Sequence, residues 1–273
     1  MEFFASLSFL ERALIVAVLT AFYAGLIGTF VVAKRMSSVA GGISHAAFGG
    51  VGLGFALGIN PMFGALCFAV AAALIITEIY LRRGEVLETL ISALWSIGMS
   101  LGILFIALTP GYAPDLMGFL FGNILLVSPE YILITLLTLV AVLGLVYLRF
   151  PELQAVTFDE EYSTVIGLPV KRELMLLFVL IAISVVLLMK IVGVVLTIAL
   201  LTLPAVIARR YTTSLKGMIF VATLLALGTS ILGILLAYQA SVQFNLNLPT
   251  GPCIILLTSV LYLGSLLSQA DQR

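Results

Sequence analysis

An all-α, polytopic integral membrane helix bundle is the fold class this sequence predicts, and three observations predict it. Hydrophobic residues make up 62% of the chain and charged residues 10%, against roughly 45–50% and 25% in a soluble domain. The apolar residues gather into nine stretches, each of the roughly 17–25 residues that cross a bilayer. With the N-terminus outside, eleven of the thirteen Lys and Arg residues fall on the inner side, where basic residues collect. These eleven are Lys34, Arg35, Arg82, Arg83, Arg149, Lys171, Arg172, Arg209, Arg210, Lys216 and Arg273; only Arg12 and Lys190 fall outside. The expectation is one transmembrane domain over residues 1–273, with about nine spans, N-out and C-in.

The first span, 13–33, is longer than a signal-peptide core and is read as retained. In the second, 38–58, Gly42, Ala46, Gly50 and Gly54 recur every four residues, a row of small side chains that lets another helix backbone come close. Beside that row run Gly41, His45 and Gly49, and His45 is the only histidine of the chain. The third span, 61–81, ends in Glu78 and Arg82, whose i,i+4 spacing predicts an interfacial ion pair. In the fourth, 88–108, Glu85 and Glu88 suit the helix dipole at its start. There Ser92, Ser96 and Ser100, with Gly98 and Gly102, form a packing face or a pore lining.

Thr109 to Asp115 is a turn-rich outer loop by its Pro and Gly content. Leu116 to Ser128 is apolar but too short to cross, which predicts an interfacial or re-entrant helix. The fifth span, 129–148, leads to an inner loop over 149–172, the one sizeable cytoplasmic segment expected. Spans six and seven, 173–190 and 192–208, are separated only by Ile191, so one can be short or re-entrant, leaving eight full crossings. Lys190 at their junction either snorkels to headgroups or acts as an electropositive gate. Pro204, near Thr202, makes either a kink satisfied by neighbours or a mobile gate. Spans 217–239 and 252–268 complete the bundle.

Within the inner loop, Thr157-Phe158-Asp159-Glu160 has the form of a capping box. Phe158, Tyr162, Val165 and Ile166 then share one helical face, and Asp159, Glu160 and Glu161 occupy the first turn. Gly167, with Pro169 two residues on, supplies a stop. The product is a short amphipathic helix whose apolar face must lie on membrane lipid or fill a groove in another protein.

Several function classes are excluded by what the chain lacks. No basic tract suggests nucleic acid, and the cysteines Cys67 and Cys253 each lie in an apolar run and imply no disulfide framework. There is no G-x-x-x-x-G-K-[ST] for ATP and no H-E-x-x-H for a membrane metalloprotease. A secondary cation transporter driven by an ion gradient is the alternative to ATP-driven transport, but it usually shows an ionisable relay within its spans, and this chain has almost none.

Along nearly its whole length the chain resembles the permease subunits of the ABC-3 family, bacterial and archaeal importers of zinc, manganese and iron. The resemblance is carried by Val31-Val32-Ala33-Lys34-Arg35-Met36 before Ile43-Ser44-His45-Ala46, and by Leu120 to Pro129. Thr157 to Glu161 with Gly167, Lys190 to Leu196, Leu203-Pro204-Ala205 and Leu248 to Pro252 extend it. It implies a homodimeric pore in a prokaryotic plasma membrane, two separate ATPase subunits below and an extracytoplasmic metal-binding protein above. It also implies that the segment from Phe158 to Ile166, ending at Gly167, is the coupling helix seated in the ATPase. The subunit itself would catalyse no covalent step and hold no resident cofactor, the divalent metal being cargo moved by alternating access.

One departure concerns the metal path. Family members commonly carry Gly-Asp-Ala-x-Ser-His, with the acid one turn before the histidine, and here that position is Gly41. His45 therefore stands either as a metal ligand without its acid or as a core histidine bonded to a carbonyl or to Ser44. Hard cations need oxygen ligands, whereas zinc accepts imidazole, so a path without a mid-depth carboxylate favours zinc over manganese. Cys67, Met36, Met62, Met99 and Cys253 offer soft donors, but ordinary packing explains them better, and Asp115 and Glu130, near the outer mouth, read first as solvated loop charges.

Overall fold

The computed structural model describes residues 7–82, 87–109, 116–122, 124, 127–246 and 248–270. Among them there is no strand, and nine helices are long and apolar enough to cross a membrane. The chain is a multi-pass membrane protein. Its helices are α1 (Phe9–Ala33), α2 (Ser37–Leu57), α3 (Pro61–Arg82), α4 (Leu87–Leu108), α5 (Leu116–Phe121) and α6 (Pro129–Leu148). There follow α7 (Phe150–Phe158), α8 (Glu160–Val165), α9 (Val170–Val192), α10 (Val194–Tyr211), α11 (Leu215–Phe244) and α12 (Thr250–Ala270). All nine expected spans are present, each as a helix within a few residues of its predicted bounds; the turn-rich loop at 110–115 lies outside the described residues.

The helices cluster into two compact units that interleave along the chain. One comprises Met1–Ala33, Met117–Gly144 and Ile191–Arg273, the other Lys34–Leu116 and Leu145–Lys190. Each is built on one nearly enclosed helix, α1 in the first and α2 in the second, with 83% of the most apolar window buried in both. Membrane helices gain little from the hydrophobic effect against one another, so close backbone approach must supply the packing energy. In the first unit Gly25 of α1 lies against Thr223 of α11, and Gly28 against the Leu201 carbonyl of α10. In the second, α2 lies between α3 and α4. Gly50 meets the backbone of Gly64, while Gly42 meets Ile91 and Gly49 meets Gly98.

Helix ends follow local chemistry. Ser8 and Glu11 form a reciprocal capping box at the start of α1, with Ser8 N–H donating to Glu11 Oε2 at 2.7 Å and Glu11 N–H to Ser8 Oγ at 3.3 Å. The boundary between α9 and α10 falls at Gly193, two residues past Ile191, and both helices are full length. Gly193 has φ +84° and lies on Gly122, itself at φ +65°; a Cβ on either would overlap the other's backbone. Only glycine meets both demands. Inside α10, Pro204 has no N–H for the Leu200 carbonyl, and the helix continues through it with Thr202 Oγ1 donating to Ile198 O at 2.7 Å.

Candidate functional site: the α7–α8 elbow and the His45 helix

Both candidate sites lie in the unit formed by 34–116 and 145–190. The loop over 149–172 does not hold one helix from Phe158 to Ile166 but two helices, bent at Asp159. There the backbone is extended (φ −150°, ψ 104°), and the Asp159 carboxylate accepts from Tyr162 N–H at 2.8 Å. The expected capping box therefore shifts by two residues. Thr157 lies inside α7 and its hydroxyl donates back to Leu153 O at 2.6 Å. Aspartate caps as well as threonine, and the sequence pattern fits either choice. What decides is that Leu153, Val156 and Thr157 are buried on α7, so packing extends that helix past the earlier candidate cap.

Gly167, at φ +82°, closes α8. Its N–H donates to Thr164 O at 3.0 Å, and Leu168 N–H reaches back to Ser163 O at 2.9 Å, the paired bonds of a Schellman end. Between these two caps the apolar face stands in the open. Phe158 is 63% exposed, Tyr162 59%, Val165 83% and Ile166 51%. Asp159 and Glu161 flank it and are also exposed. Beside it, an open groove of about 590 Å³ runs along Thr164, Leu168, Lys171 and Met175.

Glu160 points the other way. Its Oε1 accepts from Lys34 Nζ at 2.5 Å and from Tyr80 Oη at 2.5 Å. Lys34 Nζ also donates to Val156 O at 3.0 Å and lies 5.6 Å from the centre of the Tyr80 ring, with its side chain only 6% exposed. A buried ammonium is costly unless paired, and here the carboxylate, the carbonyl and the ring face supply what water would have given. Further ties fasten the elbow's surroundings. Arg149, just before α7, bonds Glu173, whose side chain is fully buried, and lies 3.6 Å from Glu152. The bond to Glu173 raises the Arg149 guanidinium above its already high ordinary value. Glu78 pairs with Arg82 at 2.6 Å and also with Lys171 at 2.7 Å. The first pair was legible from its spacing; the second joins residues far apart in the chain and was not.

His45 is buried on α2, and its ring stacks on Trp95 of α4 with centroids 4.2 Å apart and planes inclined by 13°. Its Nδ1 has no hydrogen-bond partner, and Ser44 donates instead to Ala40 O at 2.7 Å. The expected core bond to Ser44 is thus absent. Among the described residues no three His, Cys, Asp or Glu side chains come together as a metal-binding group. Gly42, Ala46, Gly50 and Gly54 serve close packing on α2, with Gly54 against Pro61 at the α3 start. Lys190 falls in the last turn of α9, and Pro204 is buried within α10.

Trp95 is the neighbour of His45 that the sequence reading missed. The signal was available in the small-residue register. Gly42 meets Ile91, Gly49 meets Gly98 and Gly52 meets Gly102, so α2 and α4 run parallel with a nearly constant offset that sets Trp95 level with His45.

Comparison with known proteins gives a consistent picture. The chain is 38% identical over 253 residues to a Chlamydia trachomatis protein named "Probable metal transport system membrane protein", covering 89% of this chain and 83% of the relative. It is 35% identical over 267 residues to the manganese import system permease protein ScaB of Streptococcus parasanguinis, covering 97% and 92%. Its fold superposes on a chain of PsaBC from Streptococcus pneumoniae, solved in complex with Fab, with TM-score 0.81 and 35% identity over 96% of this chain and 92% of that one. The ABC 3 transport family matches residues 6–269, and the chain belongs to that family.

Proposed function

We propose that this chain is the membrane permease of an ATP-driven importer of a divalent first-row metal ion. It would form a homodimeric pore in a prokaryotic plasma membrane, N-out and C-in, with ATP hydrolysed on separate ATPase subunits and metal delivered by an extracytoplasmic binding protein. The observation that carries the reading is the elbow. Four large exposed side chains line it, Phe158 at the end of α7, Tyr162 and Val165 on the six-residue α8, and Ile166 at its C-cap. Such a face fits the helix-in-groove mode, in which apolar anchors enter a partner's groove. Closure of the ATPase on ATP would push α8, and the spans would alternate between outward and inward access. Residues 1–273 act as one permease domain in this scheme.

Zinc is the cargo that the donor chemistry favours, because imidazole suits zinc and Gly41 supplies no carboxylate beside His45. Manganese is the second reading, and what favours it is the name of the ScaB relatives. Lys190, in the last turn of α9, and Pro204, in the middle of α10, remain proposed gates. The test is uptake by liposomes containing this chain and its ATPase, with zinc and manganese measured side by side. ATP-dependent accumulation of zinc above manganese is expected; the reverse order would assign manganese, and uptake on a proton gradient without the ATPase would mean a secondary transporter.

A further inference from the structure

The Lys34–Glu160–Tyr80 cluster is more than the elbow requires to stay in place. α7 is already held by buried Leu153 and Val156, and α8 by buried Ser163. The cluster joins three elements that are remote in sequence. Glu160 is the first residue of α8, Tyr80 belongs to α3, and Lys34 lies three residues before α2, the helix that carries His45. Between Lys34 and α2 the backbone turns through Arg35 at φ +59°, a left-handed conformation uncommon for a residue with a Cβ. Lys34 is thus fixed at its charged tip by α8 and, at its backbone, sits on a tight corner that opens directly into α2.

We propose that Lys34 and Glu160 form a positioning clasp that carries displacement of the exposed elbow to the His45 helix. The inference rests on the elbow being the docking surface for the ATPase, and adds to it the route by which docking is felt in the membrane. A short bond between a nearly desolvated ammonium and a carboxylate is stiff in the required direction. Moving α8 away from Lys34 strips the buried ammonium of its one carboxylate and leaves only the Val156 carbonyl and the Tyr80 ring, an outcome costly enough that the corner must follow. Tyr80 steadies the shared carboxylate oxygen and lets α3 move with it.

The test uses the reconstituted complex of permease and ATPase and compares Glu160→Gln and Lys34→Met with the wild type. Three quantities are read: ATPase co-purification, the rate of ATP hydrolysis, and metal taken up per ATP hydrolysed. Glu160→Gln preserves size and hydrogen-bond acceptance, so it remains informative where Lys34→Met fails to assemble. The clasp predicts that the ATPase stays bound and hydrolyses ATP, while uptake per ATP falls by about tenfold, within the span of allosteric coupling. It predicts also that the double variant falls no further than the worse single one. An unchanged uptake per ATP in Glu160→Gln overturns the clasp, and so does loss of the ATPase, which would make the pair a docking element only. Phe158→Asp separates the two ideas: if that variant still binds and couples the ATPase, the docking surface itself is misassigned.

Discussion

His45 is a single imidazole stacked on a single indole, with one ring nitrogen buried and unpartnered. A buried polar atom without a partner costs on the order of 1–3 kcal/mol, which argues for a use beyond packing. His45→Ala is expected to reduce metal uptake sharply while the protein still assembles; undiminished uptake would return it to a core role. Because Trp95 is the only tryptophan, its emission is a direct probe of that ring. Zinc added to the purified protein should change the emission, and should leave it unchanged in His45→Ala. Packing is equally local. A Cβ on Gly98 would overlap the His45 carbonyl, so Gly98→Val should destabilise the fold by about 1–3 kcal/mol as overpacking does, read as a lower melting temperature in detergent.

Among the elements, the elbow shows what a sequence pattern can and cannot decide. The apolar face of Phe158, Tyr162, Val165 and Ile166 was legible because periodicity is local, and the Gly167 stop because only the backbone conformation matters there. The bend at Asp159 was not, since Thr157 and Asp159 are both good caps and tertiary burial of α7 chose between them. Nor was the inward turn of Glu160, whose partners Lys34 and Tyr80 lie far off in the chain. Phe158→Asp or Tyr162→Asp should abolish co-purification with the ATPase or uncouple hydrolysis from transport, and intact coupling in both would remove the assignment. Gly167→Val places a branched side chain at φ +82°, a strain of about 1–3 kcal/mol. It should loosen α8, seen as faster amide exchange in Thr164 to Leu168 with the nine spans unaffected.

At the scale of the molecule, composition and apolar run length were enough to find all nine spans, because bilayer thickness imposes one length on every crossing helix. The two interleaved units were not visible, since they depend on which glycines meet which backbones. Gly50 with Gly64 and Gly122 with Gly193 are pairs that no spacing rule connects. The same limit applies to the transport path: His45 could be placed at mid-span, but Trp95 became its neighbour only through the parallel register of α2 and α4. The central claim is that this chain passes metal only when a separate ATPase acts on the elbow. The most direct measurement is zinc accumulation in liposomes that hold the permease with its ATPase, with or without enclosed ATP, or the permease alone under an imposed proton gradient. Uptake that requires both the ATPase and ATP, and that vanishes in Phe158→Asp, is the predicted result; uptake driven by the gradient with the permease alone would contradict it.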